Sequence, residues 1–297
     1  MAAPIPLHDD SKIPRIPWVT WGIIVANIVV FLLLQPPFDQ QGFLDGIPLV
    51  PSLDLDDARE EFDESFEFTV TYGAIPCELD EMRAIADGAR CDAASLEELQ
   101  AELASVDADL PDDKNVPFSL LSSMFLHGGI LHIVGNMAFL WVFGRAVEAR
   151  LGHVLFLLLY LVTGVAAVAA FAVFNMGDAV PLVGASGAIS GVLGAYVVFN
   201  RRSRILMYMP TGCLLQAVYV PALIVLGIYF LSQFLVYGLA EVLVPEAALN
   251  VAWEAHVGGM VAGVVLALPG ARRLGPGAAL PEVPAPFSGT ATGQGGW

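Results

Sequence analysis

Residues 184–200 read GASGAISGVLGAYVVFN, and they decide the fold. From Gly187 to Asn200 the run is apolar, short and rich in small residues. A helix that is apolar all round has no face for water and belongs inside a bundle. Gly187 and Gly191 stand four apart and Gly194 continues their face, so neighbouring helices can approach closely. Ser186 breaks the apolar pattern. It sits between glycines at a loop-to-helix junction, where the backbone is free and the first N–H groups lack intrahelical partners. That setting suits an exposed nucleophile with an amide donor beside it. A Gly-flanked serine in an apolar helix also serves plain packing, and with Ala188 in place the motif is not the hydrolase elbow G-x-S-x-G.

Working outward, five more apolar runs flank this one: Trp18–Leu34, Gly129 to Val147, Val154 to Phe174, Val218 to Leu239 and Trp253 to Leu268. Hydrocarbon about 30 Å thick is crossed by roughly 20 helical residues. The reading is therefore an all-α membrane protein, a six-transmembrane-helix bundle with a short central fourth helix. Trp18–Leu34 reads as a retained span, because no small-residue cleavage site follows it and its apolar core exceeds that of a signal peptide.

Composition agrees. Hydrophobic residues make up 56% of the 297 and charged ones 14%, with a net charge of −17. A soluble domain is about a quarter charged, so a single soluble enzyme domain and a disordered chain are excluded. Without a basic stripe there is also no nucleic-acid binder. The acids are concentrated: residues 36–115 hold 22 of 30 acids and four of 13 bases. The other nine bases, Lys12, Arg15, Arg145, Arg150, Arg201, Arg202, Arg204, Arg272 and Arg273, fall on one side if six spans alternate. Positive residues mark the cytoplasm, so both termini are expected there and 36–115 outside.

Within 36–115, Ser95-Leu-Glu-Glu98 fits a capping box, with Leu96, Leu99, Leu103 and Val106 continuing at helical spacing. Cys77 and Cys91 lie in this segment and Cys213 on the opposite side. An oxidising exterior allows a Cys77–Cys91 disulfide, and two free thiols fit the spacing equally well. Residues 269–297, rich in Pro, Gly and Ala, read as a disordered cytoplasmic tail.

Ionisable groups at membrane depth mark function. His8 lies in the N-terminal tail and His153 at the interface before span 3. His127, His132 and His256 lie towards the extracytoplasmic ends of their spans. Asn136 is one helical turn from His132 on the same face. In span 6, Gly259 and Gly263 repeat the close-packing spacing. If spans 4 and 6 pack through their glycine faces, Ser186 and His256 meet, and a serine beside an imidazole is an activated nucleophile.

These residues resemble the rhomboid family of intramembrane serine proteases. His127-Gly-Gly-Ile-Leu-His132-Ile-Val-Gly-Asn136-Met137 is similar to its H-x4-H-x3-N motif. Gly184-Ala-Ser186-Gly187 is similar to G-x-S-G, and Ala255-His256-Val-Gly-Gly259-Met-Val-Ala-Gly263 to A-H-x2-G-x3-G. Gly144-Arg145-Ala-Val-Glu148 resembles the structural G-R-x2-E stretch, and Tyr72-Gly-Ala-Ile-Pro76 a run found before span 2. The likeness covers roughly residues 16–269. Two features depart from it. The Trp-Arg pair of the first loop is absent, with Pro117-Phe118-Ser119 in that region. Position 190 is Ser where some members carry an aromatic that stacks on the histidine. Another side chain must then hold the His256 ring, or it is held less firmly.

The resemblance implies a Ser–His dyad without a carboxylate: Ser186 the nucleophile, His256 the general base and then acid. His132, Asn136 and the Ser186 amide would hold the oxyanion, and His127 would anchor a loop. Gly184, Gly187, Gly259 and Gly263 have supporting roles. It implies no metal and no cofactor. The partners are the lipid bilayer and membrane-protein substrates with a transmembrane helix, cut near the extracytoplasmic interface. Spans 2 and 5 would form the lateral gate, where Tyr229, Phe230 and Phe234 fit either a gate or lipid-facing bulk. The expected division is a cytoplasmic segment 1–17, a first span 18–34, an extracytoplasmic acidic loop 35–127, a rhomboid core 128–268 and the tail 269–297. The alternative is a catalytically silent rhomboid-like protein that binds membrane clients. A haem or metal site is disfavoured because His127 and His132 fall on different helix faces, and a transporter because no two halves repeat.

Overall fold

The structure, a computed structural model, describes residues 6–9, 16–36, 65–105, 108–111, 113–211, 214–233, 235 and 252–274. Most of the tail, residues 37–64, Cys213, Phe234 and the end of the fifth apolar run lie outside these residues. The described residues are mostly helical. Strand β1 (Pro6–Asp9) precedes α1 (Trp18–Val29), which a π turn extends through Val30–Leu34. Next come α2 (Pro76–Glu81), α3 (Ala93–Ser105) and α4 (Val116–Ser122). The second apolar run is α5 (Ile130–Phe139), a π turn at Leu140–Gly144 and α6 (Arg145–Leu151). Then follow α7 (His153–Phe174), α8 (Ser186–Phe199), β2 (Arg204–Thr211), β3 (Leu214–Pro221), α9 (Ala222–Ser232) and α10 (Trp253–Leu274). Among the described residues two helices are long and apolar enough to cross a membrane, Ile130–Leu151 and His153–Phe174.

α8 is the buried centre, and its small residues are the reason. A side chain at Gly259 or Gly263 would run into the carbonyl of Gly187 or Gly191, so α10 meets α8 backbone to backbone. On the other flank, Gly191 receives Thr163 of α7, and the Thr163 hydroxyl reaches the Ala188 carbonyl at 3.3 Å. Around α8 the core is filled by Phe143, Phe156, Tyr160, Leu193 and Tyr196.

Glu148 does the work its motif promises. It is buried, and its carboxylate accepts from Val19 N (2.9 Å), Thr20 N (2.8 Å) and Thr20 Oγ1 (2.6 Å). The two amides are orphan donors at the start of α1, where a negative charge also meets the positive end of the helix dipole. His153 bonds the same carboxylate from the start of α7. One acid thus ties together three helix ends.

Two expectations are corrected. Residues 204–211 and 214–221 are not loop and helix but an antiparallel strand pair, Arg204↔Pro221 to Thr211↔Leu214, with β1 added through Pro6↔Met207 and Asp9↔Ile205. The bundle is therefore not purely α, and the fifth helix begins at Ala222 rather than Val218. Pro221 gives the reason: it lacks the N–H a helix interior requires and fits the residue before a helix start. Ser95 is also not a helix cap. It lies inside α3, which starts at Ala93, and its Oγ accepts from Ala179 N at 2.7 Å.

The described part of the acidic segment is a folded cap. A helical run over 65–72 packs with α2 and α3 around Phe66, Val70, Ile75, Cys77, Ile85, Leu99 and Leu103. Cys77 and Cys91 are bonded to each other. Lys114, one of its four bases, is buried. Its Nζ lies 2.6 Å from Glu78 Oε2 and donates to Val70 O at 2.6 Å. Burial pushes the Lys114 ammonium below the usual lysine range, against the opposing pull of Glu78. Ala179, from the α7–α8 connection, joins the cap's core.

Candidate active site

The approach to Ser186 is held from two sides. Ala74 and Leu182 exchange backbone hydrogen bonds at 3.2 and 2.8 Å, and Cys77 N and Asp92 N bond Asp178 O and Gly177 O. Gly184 N then donates to Ser123 O at 2.8 Å. Gly184 has φ +124, a conformation that L side chains rarely adopt. The chain turns there, and Ser186 opens α8 half-buried.

Ser186 Oγ and His256 Nε2 are 2.8 Å apart. The packing of α8 on α10 produces this contact, and His256 is buried at the start of α10. A hydroxyl bonded to an imidazole can lose its proton as it attacks. The other ring nitrogen, Nδ1, lies 2.7 Å from Oε1 of Gln233, the C-cap residue of α9. Tyr229, one turn earlier on α9, sits with its ring centre 6.5 Å from that of His256, tilted by 36°. With Ser at position 190, α9 and its C-cap residue thus supply an aromatic and an amide to the imidazole. Sequence reading missed Gln233. Its only signal was a polar side chain inside an apolar run.

Across the site, His132 Nδ1 accepts from Gly128 N at 3.2 Å. A nitrogen that accepts carries no proton, so in the neutral ring the N–H is on Nε2. A carbon built on Gly184 would fall 2.9 Å from His132 Cε1, 3.0 Å from Nε2 and 3.6 Å from Ser186 Oγ. The missing side chain keeps open the space between serine and imidazole. Asn136 is buried one turn along α5, its amide donating to His132 O at 3.0 Å. One amide donor serves the backbone and one remains.

His127 is buried, with its ring packed edge-on to Phe31 and His132. Its anchoring runs through the backbone. Gln35 Nε2 donates to His127 O at 2.7 Å, and His127 N donates to Gln35 Oε1 at 3.0 Å. Tyr229 and Phe230 are half-buried and touch each other, and Tyr229 also meets Phe139 of α5. Among the described residues no group of three or more His, Cys, Asp and Glu is placed to hold a metal.

A sequence profile of the rhomboid domain matches residues 114–273, more than half of the chain. The chain belongs to the rhomboid family. Rhomboids are membrane-embedded, in keeping with the apolar helices. This rhomboid is 35% identical to rhomboid protease GluP of Bacillus subtilis (strain 168) over 146 residues, 48% of the chain and 24% of that relative. Putative rhomboid protease YdcA of the same bacterium is 37% identical over 84 residues, 26% of the chain and 39% of the relative. RHOMBOID-like protein 7 of Arabidopsis thaliana is 27% identical over 192 residues, 63% and 52% respectively. The chain spans about a quarter to a half of the length of these relatives.

Proposed function

We propose that the chain is an intramembrane serine endopeptidase that cuts transmembrane-helix substrates with Ser186 and His256. The observation that carries the reading is the 2.8 Å contact between Ser186 Oγ and His256 Nε2 at the junction of α8 and α10. In the first step Oγ attacks the scissile carbonyl carbon while its proton passes to Nε2. The carbonyl π pair moves to oxygen, giving an oxyanion beside the Ser186 amide, His132 Nε2–H and the free Asn136 donor. One such donor is worth about 2.7–4 kcal/mol. As the C–N bond breaks, Nε2 gives its proton to the leaving amine. Water then attacks the acyl-enzyme carbonyl, with its proton taken by Nε2. Collapse of this second oxyanion frees a carboxylic acid and returns the proton to Oγ.

The reading includes six spans, both termini in the cytoplasm and a site open to the other side. β1 pairs with β2, which supports a common end for the N-terminal segment and the basic 201–204 stretch. The Cys77–Cys91 bond supports an oxidising exterior for the cap. Water reaches the reaction from that side, and the substrate is a membrane protein whose helix unwinds locally near the interface.

Cleavage of a single-span reporter in proteoliposomes tests the proposal. Ser186→Ala should abolish it and His256→Ala nearly so, with the double variant little worse than either, because members of a catalytic unit are strongly non-additive. Wild-type cleavage by a folded Ser186→Ala protein would sink the protease reading and leave the client-binding one.

A further inference from the structure

We infer that Gln233 is a positioning residue that fixes the tautomer and plane of the His256 ring, so that the working unit is Ser186–His256–Gln233. The inference rests on the protease reading of the same site.

A neutral imidazole carries one N–H, on either nitrogen. If it sits on Nε2, the ring cannot take the serine proton. The atom facing Nδ1 is the amide oxygen of Gln233, at 2.7 Å. An oxygen can only accept, so the proton is held on Nδ1, and Nε2 presents its lone pair to Ser186 Oγ. Gln233 is itself buried, which keeps water from competing for the bond. Among the described residues, Tyr229 of α9 and His132 of α5 are ionisable groups that face the ring, and α8 contributes the Ser186 hydroxyl. Gln233, the C-cap of α9 with helical backbone angles, lies four residues after Tyr229, so the two share one face against the imidazole. When His256 becomes imidazolium, the amide dipole remains aligned with Nδ1–H. It stabilises the charge less than a carboxylate would, without the cost of burying a second ion.

Full-length protein in proteoliposomes is assayed for reporter cleavage across pH, as wild type, Gln233→Leu and Gln233→Glu, with Ser186→Ala as the inert control. Gln233→Leu should lose about 10–100-fold in kcat with KM within about 2-fold. That is short of the ~10⁴ lost when an imidazole is held in the wrong tautomer. Gln233→Glu should recover activity above the Leu variant. Its acid limb should move to higher pH, since a carboxylate on Nδ1 favours the protonated ring, which cannot act as base. Wild-type kcat and pH profile in Gln233→Leu would overturn the inference. Equal losses in both variants with an unshifted profile would also overturn it, reducing Gln233 to packing. An inert wild type would instead strike at the protease reading.

Discussion

Gly184 carries no side chain because its neighbours leave no room for one. Its φ of +124 resists any L side chain, and a methyl there would press on His132 and fill the gap beside Ser186 Oγ. Gly184→Ala should keep the protein folded yet lower cleavage by about 10²–10³, the scale of one lost oxyanion donor. Near-normal turnover in that variant would mean the oxyanion forms elsewhere. At this scale the groups proposed to react stand in spaced motifs, Ser186, His256, His132 and Asn136, and the fold brings Ser186 Oγ within 2.8 Å of His256 Nε2. Gln233 was not legible in the sequence, because one amide in an apolar run carries no spacing. Nor was the Lys114–Glu78 pair, whose partners are 36 positions apart and joined only by the folded cap.

Elements meet here through missing side chains. Gly187 faces Gly259 and Gly191 faces Gly263, so the α8–α10 contact sets the distance between serine and histidine. Gly259→Leu should wedge the helices apart, lower thermal stability in detergent by about 1–3 kcal/mol and remove cleavage. Gly22→Leu serves as the control, since its added carbon meets nothing within 4 Å. Equal behaviour of the two variants would deny that the glycine contact aligns the site. The four-residue glycine spacing made this helix pair readable in advance. The strand pair was not: β2 and the first half of β3 fall in a stretch that reads as a loop, and Val218 to Pro221 merge with the apolar run that follows. Hydropathy does not separate a strand from a helix within such a run, and Pro221 was the one mark of the boundary.

For the whole molecule, the acidic cap changes status. None of the groups proposed to react lies between 36 and 115. The structure binds the cap to residues 177–182, the connection that delivers Gly184 and Ser186. Replacing 75–105 with a short Gly-Ser linker should therefore cut turnover by at least about 10-fold through misplacement of that connection. Full turnover in a folded, inserted variant would return the cap to a bystander. The long-range ties behind this role, Ala74 to Leu182 and Ser95 to Ala179, are backbone and hydroxyl contacts with no sequence signature. Proteolysis by this chain would turn on one atom, Ser186 Oγ, set to react by His256. Incubation of the membrane-inserted protein with a fluorophosphonate, followed by peptide mapping, tests it most directly. A single phosphonylated residue, Ser186, is expected, with labelling sharply reduced in His256→Ala. A label on another residue, or undiminished labelling without His256, would contradict it.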